Sequence, residues 1–163
     1  MLIRTLLILV LAVSISVAVD AEVVEGIVAV VNDNVITMGD LKEEMAIRRQ
    51  FGVSADKAEV LNYLIEREIV SDEAGRLGLT ITMDDVTKEI VRFEETFPSR
   101  SEFNLFLESY ELDLKDLSRK FASSIAVYKV REQKEGASAG RYDKWLSEAK
   151  KKADIKIMGV NSQ

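Results

Sequence analysis

The sequence predicts a mainly α protein, a helical body closed by a small β-sheet that pairs an N-terminal strand with a C-terminal one. Three observations predict it. A β-branched apolar run, Gly26–Val31, meets Asn32-Asp33-Asn34 and restarts as Val35-Ile36-Thr37. Between residues 37 and 133, helix-capping residues precede apolar residues at helical spacing again and again. At the far end, Asp154-Ile155-Lys156-Ile157 alternates polar with apolar, as a half-buried strand does.

In chain order, Val23 to Val31 reads as a strand buried on both faces. Asn32-Asp33-Asn34 supplies a turn, because Asn and Asp tolerate positive φ. Thr37 or Asp40 then caps a helix to about Gln50, with Leu41, Met45 and the Arg48 stem inward. Asp56-Lys57-Ala58-Glu59 reads as a capping box. Its helix carries Val60, Leu61, Leu64, Ile65, Ile69, Ala74 and Leu77, with Gly78 as its C-terminal cap. Gly75 inside it predicts a close helix crossing, since Gly costs a helix ~1 kcal/mol against Ala.

Thr82-Met83-Asp84-Asp85 caps the next helix, whose seam is Val86, Ile90, Phe93 and Phe97 and which Pro98 stops. Ser99 with Glu102 opens a short helix bearing Phe103, Phe106, Leu107 and Tyr110. Asp113 caps a long one with Leu114, Leu117, Phe121, Ile125 and Tyr128 inward. Residues 135–140 form a Gly/Ala/Ser loop. Residues 141–158 supply a closing helix, with Tyr142, Trp145, Leu146 and Ala149 on one face, and the last strand. That strand is expected to pair with Val24–Val31, making residues 22–163 one unit.

Residues 1–21 read as a signal peptide. Arg4 precedes the apolar Leu6–Val19, and Val19-Asp20-Ala21 places cleavage before Glu22, with Ser16-Val17-Ala18 as a second site. The apolar run is short of the ~20 residues a spanning helix needs. Export across the inner membrane follows, with no stable membrane anchor after cleavage. The chain has no cysteine, which removes disulfides and the acceptor for a lipoprotein anchor.

Acidic residues outnumber basic ones 28 to 22, for a net charge of -6, whereas a nucleic-acid partner needs a basic patch. Without His or Cys, most nucleophilic catalysis and structural zinc are excluded. The adjacent carboxylates Glu43-Glu44, Asp84-Asp85 and Glu94-Glu95 diverge by ~100° on a helix, so they do not converge on one substrate atom. Lys150-Lys151-Lys152 fits a helix C-terminus complementing the dipole. No glycine-rich phosphate loop is present, and no metal or cofactor is expected.

The ordered set of elements resembles the N-terminal domain of the SurA family of periplasmic chaperones. Gly26–Thr37 is similar to that family's opening strand, turn and Val-Ile. Leu61-Asn-Tyr-Leu64-Ile65-Glu-Arg-Glu-Ile69 and Ala74-Gly-Arg-Leu-Gly78-Leu79 resemble its core helix and exit. Thr80–Val86, Phe103–Leu107 and Leu114–Arg119 resemble the following helices. Arg141-Tyr142-Asp-Lys-Trp145-Leu146 and Ala153–Ile157 resemble the closing helix and strand. The resemblance implies an ATP-independent chaperone for unfolded exported or outer-membrane proteins, located in the periplasm. The family's parvulin isomerase domains, which rely on paired histidines, have no counterpart in this sequence, so isomerase activity is not expected. The rival reading is a non-catalytic adaptor docking one specific partner. A homodimer exchanging terminal elements is compatible with the loop at Gly136–Gly140.

The residues marked for client contact are Phe93, Phe97, Phe103, Phe106 and Tyr110, which cluster around Pro98. Large apolar residues at helical spacing are more often core. Short helices cannot bury every side, however, and a Met/Phe/Tyr-lined groove adapts to varied apolar peptides.

Overall fold

Asn32 is the residue on which the sheet turns. Its φ of 53° lies in the left-handed region, which Asn adopts more readily than other side-chain-bearing residues. It joins β1 (Ile27–Val31) to β2 (Asn34–Thr37) in an antiparallel hairpin. Its backbone N–H donates to the Asp154 carbonyl at 2.8 Å, and its Oδ1 accepts from the Asp154 N–H at 3.1 Å. These bonds align β3 (Ile155–Ile157) antiparallel on the other side of β1, with Val30 opposite Lys156. The strand order is β2-β1-β3, so the first and last strands pair as the sequence predicts. The structure, a computed structural model, describes residues 26–136 and 139–158. The expected signal peptide at residues 1–21, residues 22–25, part of the 135–140 loop and residues 159–163 lie outside the described residues.

β1 is not buried on both faces as expected. Val28, Ala29 and Val31 are buried, but Ile27 is exposed and Val30 only half-buried. Val28, Ala29 and Val31 all enter the main apolar cluster, and the strand's register against β2 is irregular between Ile27 and Ala29.

Six helices follow among the described residues: α1 (Met38–Gln50), α2 (Lys57–Arg76), α3 (Met83–Glu94), α4 (Arg100–Ser109), α5 (Leu114–Glu135) and α6 (Arg141–Lys152). Thr37 caps α1 in a reciprocal box with Asp40. Thr82 does so for α3 with Asp85, and Asp113 for α5 with Asp116. Ser99 caps α4 through the Glu102 N–H. Asp56 caps α2 by accepting from the Ala58 and Glu59 N–H groups. The expected box at this end is only half made, because the Glu59 carboxylate accepts from the Ser54 hydroxyl at 2.5 Å. α3 ends at Glu94, before Pro98 is reached, where the Thr96 hydroxyl donates to the Phe93 carbonyl.

Two apolar clusters share α1 and α5. The larger packs Leu61, Leu64, Ile65 and Val70 of α2 against the sheet, Ala126 and Val130 of α5, and Tyr142 and Leu146 of α6. Each fully buried residue of this kind contributes ~1.5–3 kcal/mol. α6 is also held by cations over rings, Arg131 at 4.5 Å from the centre of Tyr142 and Lys134 at 4.9 Å from that of Trp145. The smaller cluster joins Ile47 to α3, α4 and the start of α5.

Gly75 marks no helix crossing. A Cβ at this position would have no neighbour within 4 Å. Leu114 and Tyr128 also depart from expectation, being exposed by 49% and 61%. The side of α5 facing the main core carries the smaller residues Ala126 and Val130, which let α2 and α6 approach closely.

Candidate functional site

All six phenylalanines of the chain meet in one place. Phe93 is at the centre, with the rings of Phe51 and Phe97 at 5.2 Å, Phe106 at 5.4 Å, Phe121 at 5.6 Å and Phe103 at 6.1 Å. Most of these pairs are edge-on, the arrangement the ring quadrupole favours. Tyr110 extends the cluster from Phe106 at 5.0 Å. The five residues singled out in the sequence are therefore brought together, at two depths. Phe93 and Phe103 are 0% exposed and lie beneath the surface. Phe97, Phe106 and Tyr110 are half-buried and form its rim. Beside Tyr110, a cleft of about 220 Å³ is lined by Lys42, Met45 and Arg49.

α3 lies along α5 and leaves a groove on either side. One, of about 530 Å³, has apolar walls from Ile81, Met83, Val86, Leu114 and Ala122, with Lys115 and Arg119 at its edge. Met83 is 74% exposed. The other, of about 510 Å³, is lined by Phe121, Ile125 and Tyr128 together with the charged Asp85, Lys88, Glu89, Arg92 and Lys129. Val91 of α3 and Leu105 of α4 add further exposed apolar surface. The sequence reading missed Met83 and Leu114 as surface. The available signal was their place in the first turns of α3 and α5, where a side chain has no preceding turn to pack on.

The arm formed by α3 and α4 is tied back by charge. The Lys129 ammonium donates to the Thr80 carbonyl at 2.9 Å and to the Asp85 carboxylate at 2.8 Å. That ammonium, with the Thr82 backbone N–H and hydroxyl, lowers Asp85 to about 2. Between α1 and α2, Arg67 and Glu44 form a buried pair at 3.1 Å, with Arg48 at 3.4 Å from the same carboxylate. Burial pushes Glu68 upward beside them, only partly offset by Arg67. Burial also raises Tyr63, whose hydroxyl pairs with Ser124. Burial acts to raise Asp40 too, but the Thr37 N–H and hydroxyl and the Lys120 charge outweigh it and leave Asp40 low.

The adjacent carboxylates diverge as predicted. Glu43 meets Lys120 while Glu44 meets Arg67. Asp84 meets Lys88 while Asp85 meets Lys129. Glu94 of the third pair meets Arg100, away from Glu95. The groove holding Met83 and Leu114 is suited to reversible apolar contact, Met being an adaptable side chain.

Among the described residues, no helix is long and apolar enough to cross a membrane. The family model described as the SurA-like N-terminal domain matches residues 1–131. No curated protein gives a significant match.

Proposed function

The chain belongs to the SurA-like N-terminal domain family, and on that premise we propose that it is an ATP-independent periplasmic chaperone holding unfolded segments of exported and outer-membrane proteins. The observation that carries this reading is the apolar surface left open on α3, α4 and the start of α5. Met83 and Leu114 are exposed in one groove with Ile81, Val86 and Ala122, Val91 and Leu105 are exposed elsewhere on α3 and α4, and Phe97, Phe106 and Tyr110 are half-buried. An apolar-walled groove with two largely exposed side chains, Met83 and Leu114, is a surface that an apolar segment of another chain can cover. The signal-like residues 1–21 support export.

The mechanism is mass action. Binding the unfolded client lowers the free concentration available to aggregate. Each exposed apolar side chain that a client covers contributes ~1–2 kcal/mol. Ordering the client removes much of that gain, so affinity is modest, of order micromolar or weaker, and release needs no nucleotide. The role is non-catalytic.

Light scattering of an outer-membrane protein diluted from urea tests this. Suppression at a few-fold excess of chaperone is expected, and Met83→Glu with Leu114→Glu abolishes it. Unchanged aggregation in the presence of the wild-type protein would remove the proposal.

A second reading, an adaptor for one folded partner, draws on the exposed Ile27, Ile157 and Met158 around the sheet. Co-purification of one stoichiometric partner, with indifference to unfolded clients, would favour it.

A further inference from the structure

Resting on the client-holding reading, we propose that the groove between α3 and the start of α5 selects segments whose apolar residues are flanked by carboxylates. The protein carries a net charge of -6, yet no carboxylate lines this groove. Its charged edge is Lys115 and Arg119 alone. Arg119 pairs with Asp116, whereas Lys115, which feels the charge of the capping Asp113, has no carboxylate at ion-pair distance among the described residues. The groove on the other side of α3 shows that this sign is local, because Asp85 and Glu89 there stand among its cations. The small cleft beside Tyr110 repeats the pattern, with Lys42 and Arg49 around Met45.

The spacing suits an extended chain. Lys115 and Arg119 are four residues apart on α5, hence neighbours ~6 Å apart on one face of the helix. Alternate residues of an extended peptide are ~6.6–6.8 Å apart and point the same way. Two carboxylates at positions i and i+2 therefore reach both cations, and the intervening or following apolar residue turns toward Met83 and Leu114. The stems of Lys115 and Arg119 extend the apolar wall. An exposed ion pair changes affinity by about 1.5- to 5-fold, so two give a preference of several-fold. Salt screens it.

Fluorescence anisotropy with two dye-labelled peptides tests the proposal. Both carry the same Phe/Leu core, one flanked by Asp and Glu, the other by Lys. The acidic-flanked peptide is expected to bind several-fold tighter at low ionic strength, with the gap closing at high salt. Lys115→Glu with Arg119→Glu reverses the order. Position 115 falls in the first turn of α5, where negative charge is favourable, and far-UV circular dichroism checks that the helix persists with both substitutions. Lys115→Gln with Arg119→Gln abolishes the preference and keeps binding of the core. Equal binding of both peptides, or a preference indifferent to the charge reversal, overturns the inference and leaves the chaperone reading standing. Binding of neither peptide, together with unsuppressed aggregation, overturns both.

Discussion

Replacing Phe93 by Ala separates support from contact in the aromatic cluster. Phe93 has no exposed surface, and five other phenylalanine rings lie within 5.2–6.1 Å of its own. A buried Phe→Ala change costs ~3–5 kcal/mol, from lost transfer energy and the cavity left behind. The ring contacts add ~0.5–1.5 kcal/mol each when isolated. They are not additive here, because removing one ring loosens the rest, so the upper half of the range, ~4 kcal/mol, is expected. With a urea slope of ~2 kcal/mol per M, the unfolding midpoint falls by ~2 M. Far-UV circular dichroism follows the helices, and Trp145, packed against the other apolar cluster, supplies a fluorescence probe away from the change. Phe97→Ala, at a half-buried ring, should cost about half as much. A loss below ~1 kcal/mol in Phe93→Ala would refute the placement of this ring as the centre of the arm's core.

Three further outcomes follow from other sites. Gly75→Ala should stabilise the protein by ~0.5–1 kcal/mol, since its Cβ enters open space, while Gly78→Ala, at φ +63°, should destabilise it by ~1–2 kcal/mol; thermal melts of both variants check the contrast. Arg67→Met should cost ~3 kcal/mol, near the low end for a broken buried pair because Arg48 still reaches Glu44; adding Glu44→Leu should restore much of the loss in urea unfolding. Asp85 is held at about 2, below its unfolded value of 3.8, so its contribution is complete above ~4 and disappears as pH falls through 2. Wild type and Asp85→Asn should therefore differ in urea midpoint at pH 5 and converge as the pH approaches 2.

Local chemistry was legible wherever one residue decides the outcome. Thr37, Asp56, Thr82, Ser99 and Asp113 each cap the helix that follows, and Asn32 takes the positive φ that its turn requires. The pairing of β1 with β3 was legible from the alternation at 154–157 and the β-branched run at 26–31. The rotation of α5 was not. Its sequence carries two apolar stripes, Leu117-Phe121-Ile125-Tyr128 and Ala126-Val130, and the smaller residues face the main core because α2 and α6 lie close. Gly75 misled for a related reason, as a helix tolerates a glycine that packs against nothing. The five aromatic residues were correctly grouped, but the depth that buries Phe93 and leaves Phe97 at the rim depends on how α4 folds back on α3. No periodicity within either helix encodes that angle.

Site-specific photo-crosslinking to an unfolded outer-membrane protein tests the client surface most directly. Benzophenone side chains placed at residues 83, 97, 106 and 114 should capture client, while the same group at residue 143, on the exposed side of α6, should not. Equal capture from residue 143, or none from the α3–α5 positions under conditions where aggregation is suppressed, would contradict the assignment of this surface.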